Sequence, residues 1–331
     1  MHYPVATARQ ILAAYAPRPV TMRRIVFGLG AAQVVVTMLL TWAIASALGV
    51  DWRAALILGG VMAMSSTALL AKLLTERLEL NSPHGRQIIG VLLFQDLAVV
   101  PLLILVPALA PGSEDLAVTL GYALLKASMV LGLLLVIGQR LMRGWFHFIA
   151  AQKSEELFAI NVLLITLGLA YITELAGLSL ALGAFLAGAL ISETEYRYQV
   201  ETDIKPFRDV LLGLFFVTIG MLLDLHVVYE QATWVFLILA GLLVIKSTVI
   251  VALSVAFAAD FAVALRVGLT LAACGEFGFV LLARADNLAL MPVPVMQPVL
   301  AAMLLSMLAA PLIVERSGQL ARRWGRSDWM H

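Results

Sequence analysis

Apolar stretches of membrane length follow one another along almost the whole chain. A helix needs about 20 mainly apolar residues to cross a bilayer, because each residue advances it by about 1.5 Å. Spans are predicted at residues 25–48, 54–75, 87–109, 116–139, 156–175, 178–192, 209–224, 232–258, 262–284 and 295–314. A bilayer core offers no water to backbone polar groups, so these ten segments should be helices. The predicted fold class is all-α, a polytopic transmembrane helical bundle.

Two of these spans are interrupted near their middles. The break in 54–75 is Ser65-Ser66-Thr67, whose hydroxyls can bond the backbone and bend a helix. The break in 262–284 is Gly275-Glu276-Phe277-Gly278. Each broken span follows one long apolar span and precedes another. Such paired interruptions indicate an inverted-repeat transporter with its site near the midplane of the bilayer. The sequence thus predicts an inverted-repeat antiporter fold with two broken, crossing helices.

Positive charge alternates sharply between successive connections. Most of the 22 lysines and arginines lie before the first span, in every second connection, or after the last span. Because cytoplasmic connections carry the excess of lysine and arginine, both termini are predicted in the cytoplasm. Residues 1–24 form an N-terminal segment, 25–314 the membrane domain and 315–331 a short basic tail. The predicted location is the cytoplasmic membrane, with the lipid bilayer as the surrounding partner.

Composition excludes several other classes of protein. The 331 residues are 62% hydrophobic and 13% charged, against about 45–50% and about 25% in soluble domains. A net charge of +1 gives no electrostatic case for nucleic acid. The single cysteine, Cys274, excludes an internal disulfide and a multi-cysteine metal site. No phosphate-binding loop, zinc pattern or nucleophile–base arrangement is visible, so we expect no enzyme, no cofactor and no metal beyond a transported ion.

Asp96 is the most informative residue of the chain. It lies in the middle of the apolar span 87–109, preceded by Gln95 and followed by Pro101. A charged side chain at the centre of a bilayer helix costs roughly 2.5 kcal/mol or more, so it usually has a function. A carboxylate balanced between burial and a nearby cation can exchange a proton for a metal ion. Asp96 is therefore the predicted ion- and proton-binding group, with Gln95 coordinating the cation or bonding the carboxylate.

Lys246 is a second charge placed deep in a span. It lies at the middle of 232–258, too far from either interface for its side chain to reach water. A lysine at this depth needs a partner or must lose its proton. We predict an ion pair with Asp96 across the crossing of the broken helices. The alternative is that Lys246 only neutralises the ends of the half-helices there.

The breaks supply further polar groups. Unwound backbone and hydroxyl oxygens are ligands for cations, so Ser65, Ser66 and Thr67 are assigned to the ion-binding site. Glu276, flanked by Gly275 and Gly278, is either a secondary ion site or a cap of the broken helix, since a carboxylate is favourable at a helix N-terminus.

At these residues the chain resembles a known transporter family. The matching segments are Ser65-Ser66-Thr67-Ala68, Val91-Leu92-Leu93-Phe94-Gln95-Asp96, residues 178–188, residues 206–221 and Gly275-Glu276-Phe277-Gly278-Phe279. They resemble the Kef-type potassium-efflux transporters, in monovalent cation:proton antiporter family 2, which share a sodium/hydrogen exchanger-like membrane domain. The similarity covers about residues 22–318 in the family's order and spacing.

The resemblance implies exchange of K⁺, or in some members Na⁺, for H⁺. It further implies an elevator-like movement of a core bundle against a dimeric scaffold. On this basis Asp96 is the ion-binding carboxylate, Gln95 its neighbour and Lys246 the opposite charge. Because Gln95 stands where some relatives carry a second acid, one-for-one electroneutral exchange is expected.

The chain departs from the family pattern at both ends. From the family pattern we expect it to lack the first three spans, which would belong to the scaffold, and the C-terminal nucleotide-binding domain. A homodimer is expected where the scaffold is completed. Two alternatives to antiport stay open from the residues: a channel-like K⁺ uniport without proton coupling, and a truncated, non-transporting remnant.

Overall fold

The structure is a computed structural model that describes residues 24–110, 116–150, 154–176, 180–221 and 223–325. The predicted N-terminal segment 1–24, except residue 24, and the end of the predicted tail lie outside these residues. All regular structure in the described part is helical. A π-helical segment, Arg24–Gly30, leads into α1 (Ala31–Ala47), and the chain continues through α2 (Trp52–Ala63), α3 (Thr67–Glu76), α4 (Pro83–Ala108), α5 (Leu116–Ala150), α6 (Glu155–Leu175), α7 (Leu180–Ser192), α8 (Arg197–Met221), α9 (Leu225–Glu230), α10 (Ala232–Ala256), α11 (Phe261–Thr270), α12 (Glu276–Asn287) and α13 (Val293–Gly325).

The first predicted break separates α2 from α3. Helix α2 ends at Ala63, and Met64 is extended with φ −76° and ψ 141°. Ser66 is also extended and caps α3 by accepting a hydrogen bond from Leu69 N at 3.3 Å. Serine is a preferred N-cap because its hydroxyl satisfies one of the free N–H groups of the first turn. Serine therefore both interrupts the span and caps the half-helix that follows the break.

The second break separates α11 from α12. Helix α11 ends at Thr270, and α12 begins at Glu276 after an extended Gly275. Each broken helix packs against the unbroken helix before it, α1 against α2 and α10 against α11. The two repeats are triplets of helices: α1, the broken pair α2 and α3, and α4 form the first, and α10, the broken pair α11 and α12, and α13 form the second. Helix α12 also packs against α2 and α4, so the two triplets share one core. This arrangement confirms the predicted inverted-repeat bundle with two broken, crossing helices.

Six helices or broken helices of the described part are long and apolar enough to cross a membrane. They are Arg24–Ala47, Trp52–Glu76, Pro83–Ala108, Glu156–Leu175, Ala232–Ala256 and Val293–Ala321. The described residues of the other predicted spans lie mostly in helix, in α5, α7, α8 and the pair α11 and α12. The count of ten spans stays a prediction. Residues 315–325, assigned from the sequence to the tail, continue α13.

A polar cluster joins the connection after α3 to α11. Both carboxylate oxygens of Glu79 accept hydrogen bonds from Arg266 Nη2, at 2.8 and 2.9 Å. The His84 Nε2 atom lies 3.2 Å from Glu79 Oε2. Partial burial acts to raise the pKa of Glu79, but hydrogen bonds and charge from Arg266 and His84 outweigh it and hold the pKa below its ordinary value of 4.5. The cluster therefore links the two repeats through an ionised carboxylate.

Candidate ion-binding site

The two breaks meet at the centre of the core. Ser65 Oγ donates a hydrogen bond to the backbone oxygen of Leu271 at 2.8 Å. Gly275 lies directly against the backbone of Ser65 and Ser66, where a Cβ atom would be only 2.7 Å from Ser66 N. Both serines are 2% exposed. The predicted crossing is thus a backbone-to-backbone contact that a glycine permits.

Gln95 holds the first break in place. Its Oε1 atom accepts a hydrogen bond from Ser65 N at 2.8 Å, and its Nε2 atom donates to Gln33 Oε1 at 2.7 Å. Gln33, on α1, donates in turn to the backbone oxygen of Ala63 at 3.1 Å. The Gln95 oxygen therefore bonds the unwound backbone and not the Asp96 carboxylate. Sequence reasoning missed Gln33, although a lone glutamine in the apolar span 25–48 was a visible signal.

Asp96 lies beside the start of α3. Its Oδ1 atom accepts a hydrogen bond from Thr67 Oγ1 at 3.1 Å, and Thr67 is the first residue of that half-helix. The Asp96 side chain is only partly buried, whereas Gln95 is 1% exposed. The two neighbours therefore have different environments: Gln95 belongs to the packed core, and Asp96 faces a more open region next to the break.

Lys246 is not bonded to Asp96. Its Nζ atom donates to the backbone oxygens of Met64, at 2.7 Å, and Ala273, at 3.3 Å. Across the part of the chain that the structure describes, no ion pair joins the two side chains. The predicted direct pair is therefore corrected: Lys246 bonds one carbonyl from each break. Carbonyls at the end of a half-helix carry partial negative charge and attract a buried ammonium group.

Glu276 lies next to the same turn of α3. Its Oε1 atom accepts a hydrogen bond from Ala68 N at 3.3 Å, so it caps α3 as well as beginning α12. Its Oε2 atom is buried and has no hydrogen-bond partner among the described residues. Thr67 bonds Asp96 and the next residue bonds Glu276. One helical turn therefore connects the two carboxylates.

The second repeat has its own support for the break. Ser306, on α13, accepts a hydrogen bond from Cys274 N at 3.1 Å. Ser306 corresponds to Gln95 on α4, because each side chain accepts a hydrogen bond from a backbone N–H of the break in its own repeat: Ser306 from Cys274 N and Gln95 from Ser65 N. Gly278, at the first turn of α12, packs against α2, where a Cβ atom would lie 3.1 Å from the Val61 oxygen. Sequence reasoning did not single out Ser306.

Asp96 and Thr67 provide oxygen donor atoms next to the first break. Asp96 and Thr67 supply carboxylate and hydroxyl oxygens, which suit hard cations. Within the described ranges, no group of three histidine, cysteine, aspartate or glutamate side chains is placed to hold a metal ion.

Comparison with known proteins agrees with this architecture. Residues 20–316 match the family described as sodium/hydrogen exchanger, transmembrane. The chain is 43% identical over 311 residues to "Putative K(+) efflux antiporter KefB" of Alkalimonas amylolytica, covering 92% of this chain and 47% of that protein. It is 40% identical over 319 residues to K(+) efflux antiporter 2, chloroplastic, of Arabidopsis thaliana, covering 93% of this chain and 27% of that protein. The chain therefore spans half or less of the length of these relatives.

A solved structure shares the fold. The sodium proton antiporter MjNhaP1 from Methanocaldococcus jannaschii superposes with a TM-score of 0.63 at 16% identity, over 93% of this chain and 81% of that one. The family match over residues 20–316, together with the relatives of about 40% identity, confirms the sequence-based resemblance and identifies a multi-pass membrane protein of a transporter family, not of an enzyme family. The chain belongs to the sodium/hydrogen exchanger transmembrane family.

Proposed function

We propose that this chain forms the ion-carrying membrane domain of a monovalent cation:proton antiporter, with K⁺ as the cation. Asp96 is the group that binds H⁺ and the cation in turn. The observation that carries the proposal is the incomplete neutralisation of Asp96. Among the described residues it receives one side-chain hydrogen bond, from Thr67, and no ion pair from Lys246.

Such a carboxylate needs a positive partner within the bilayer. A membrane-buried carboxylate is costly when it is ionised and unpaired, so either a proton or a cation must neutralise it. The two compete for the same oxygen atoms, because a bound proton removes the charge that attracts the cation. Competition at one carboxylate couples the two flows, and a single proton then exchanges for a single monovalent cation. One-for-one exchange agrees with the neutral Gln95 beside Asp96.

The choice of K⁺ rests on the relatives, two of which carry K(+) efflux in their names. Size and ligand geometry decide between K⁺ and Na⁺ in such sites. We further propose the orientation that the charge pattern predicts, with both termini in the cytoplasm. An elevator-like movement requires a scaffold, so we propose that the protein acts as a homodimer.

Everted membrane vesicles test the proposed exchange. Vesicles carrying the protein are acidified by respiration, and a fluorescent pH indicator follows the response to added K⁺ or Na⁺. The antiporter should dissipate the pH gradient on addition of K⁺, and Asp96→Asn should abolish the response at equal expression. The matched control is Asp286→Asn, which changes an exposed carboxylate near the end of α12.

Two results would contradict the proposal. One is an absent response from correctly inserted protein, as expected of a non-transporting remnant. The other is a response that Asp96→Asn does not change. Electrical recording separates a channel-like uniport from an antiporter, because a channel carries K⁺ current without proton movement. A current that needs no pH gradient and alters none would favour the uniport.

A further inference from the structure

Two glutamines form a buried amide pair between α1 and α4. Gln33 is 0% exposed and Gln95 is 1% exposed. Gln95 Nε2 donates to Gln33 Oε1 at 2.7 Å, and Gln95 Oε1 accepts from Ser65 N at 2.8 Å. Gln33 Nε2 donates to Ala63 O at 3.1 Å. The pair thus connects the last carbonyl of α2 to an amide of the break that follows it.

The two ends of this chain of hydrogen bonds set the orientation of both amides. The Ala63 carbonyl can only accept, so the NH₂ group of Gln33 must face it. The oxygen of Gln33 then faces Gln95, whose own NH₂ group must point back to Gln33. The oxygen of Gln95 is left facing Ser65 N, which can only donate. A flip of either amide would place like groups against each other at buried positions, at a cost of about 1–3 kcal/mol for each unsatisfied group.

We propose that Gln33 is a positioning residue of the Asp96 site. It directs the Gln95 oxygen to the backbone of the break at a buried position, and this orientation together with the burial keeps that oxygen from the transported cation. Of Gln95, Asp96 and Thr67, only Asp96 and Thr67 then remain as side-chain ligands for the cation. This inference rests on the proposed antiport function and refines it, since the sequence alone left Gln95 as either a cation ligand or a partner of the Asp96 carboxylate.

The effect of Gln33 on the Asp96 site passes through Gln95. Without Gln33, the buried NH₂ group of Gln95 keeps only a 3.5 Å approach to Ser65 Oγ. The Gln95 amide is then free to turn, and the break next to Thr67 and Asp96 loses its support from α4. The consequence should be a poorer cation site without loss of the carboxylate that carries the proton.

A double-mutant cycle tests this path. K⁺-driven proton movement is measured in proteoliposomes for wild type, Gln33→Leu, Gln95→Leu and the double variant. Gln33→Leu should raise the K⁺ concentration for half-maximal exchange about tenfold, as one unsatisfied buried amide implies. If the effect of Gln33 on the site passes through Gln95 and not through its own bond to Ala63, the double variant should be no worse than Gln95→Leu. Gln87→Leu, an equal change elsewhere on α4, is the matched control and should leave the K⁺ value unchanged.

A second variant tests the same inference if Gln33→Leu folds poorly. Gln33→Glu has the same shape, and its protonated form both accepts from Gln95 and donates to Ala63. At the most acidic pH that supports exchange, it should bring the half-maximal K⁺ concentration to within about twofold of wild type. If Gln33 mattered only for packing, Gln33→Met would restore the half-maximal K⁺ concentration as well as Gln33→Glu does.

The outcomes separate the two proposals. Absent K⁺-driven proton movement in wild type overturns the proposed function and with it the assignment of Gln33 to an ion site. Normal exchange in wild type, with Gln33→Leu within about twofold of it, overturns only the role of Gln33. Additive effects in the double variant, or rescue by methionine as good as by glutamate, overturn it as well.

Discussion

Gly275 allows the two breaks to cross, and its substitution should separate them. Its backbone, with φ −123° and ψ 170°, is one that alanine also adopts, so any effect of Gly275→Ala is steric. A Cβ atom would lie 2.7 Å from Ser66 N and closer still to the carbonyl group of Ser65. These are backbone atoms of another segment, and no side-chain rotation relieves the contact.

Overpacking of a tight core typically costs about 1–3 kcal/mol. We expect the upper part of this range for Gly275→Ala, because the shift also lengthens hydrogen bonds that join the breaks, those of Ser65 and Lys246. The midpoint of thermal unfolding in detergent should fall, and K⁺-driven proton movement in proteoliposomes should be lost or strongly reduced. Gly220→Ala is the control, since a Cβ atom there meets nothing within 4 Å. A Gly275→Ala protein as stable and as active as the Gly220→Ala protein would refute the reasoning.

Three further changes test single contacts. Thr67→Val removes the hydroxyl bonded to Asp96 and should raise the half-maximal K⁺ concentration about tenfold, whereas Thr67→Ser should stay near wild type. Lys246→Met leaves the buried carbonyls of Met64 and Ala273 without their donor and should lower the free energy of unfolding by about 1–3 kcal/mol for each carbonyl. An unchanged unfolding midpoint would count against these two hydrogen bonds. The pKa of Glu79 is lower in the folded protein than its ordinary value of 4.5, so its ion pair with Arg266 stabilises the fold above pH 4.5 and is lost as the pH falls through the folded-state pKa. Arg266→Gln lacks this ion pair at every pH, so its unfolding midpoint should decrease less than that of wild type when the pH is lowered below 4.5. Equal decreases in the two proteins would contradict this.

The broken helices could be predicted from local sequence. Three consecutive hydroxyl residues at 65–67 interrupt one apolar span, and two glycines flanking Glu276 interrupt the other. The first break, residues 64–66, lies at the hydroxyl residues, because serine weakens a helix locally and caps the next one. The second break, residues 271–275, lies earlier than predicted: only Gly275 belongs to it, and Glu276 and Gly278 are in the first turn of α12. The pairing of the two triplets followed from their order along the chain. Helix ends needed the structure, since α5 and α13 run well beyond their apolar parts.

The partners of the buried polar groups could not be predicted. Asp96 and Lys246 looked like a pair because they are opposite charges at similar depth. In the structure, however, the ammonium group bonds the backbone oxygens of Met64 and Ala273. Backbone carbonyls leave no trace in the side-chain sequence, so this competition was invisible. Gln33 was missed for a related reason: an amide reveals its function only when the group it faces is known.

Proton release on cation binding tests the central claim most directly. Purified protein in detergent, in a weakly buffered solution near neutral pH, is mixed with KCl, and a pH indicator records the protons released. If Asp96 exchanges H⁺ for K⁺, wild-type protein should release protons in a saturable manner, and choline chloride should release none. Asp96→Asn should release none with KCl either. Saturable release from Asp96→Asn equal to that from wild type would contradict the account.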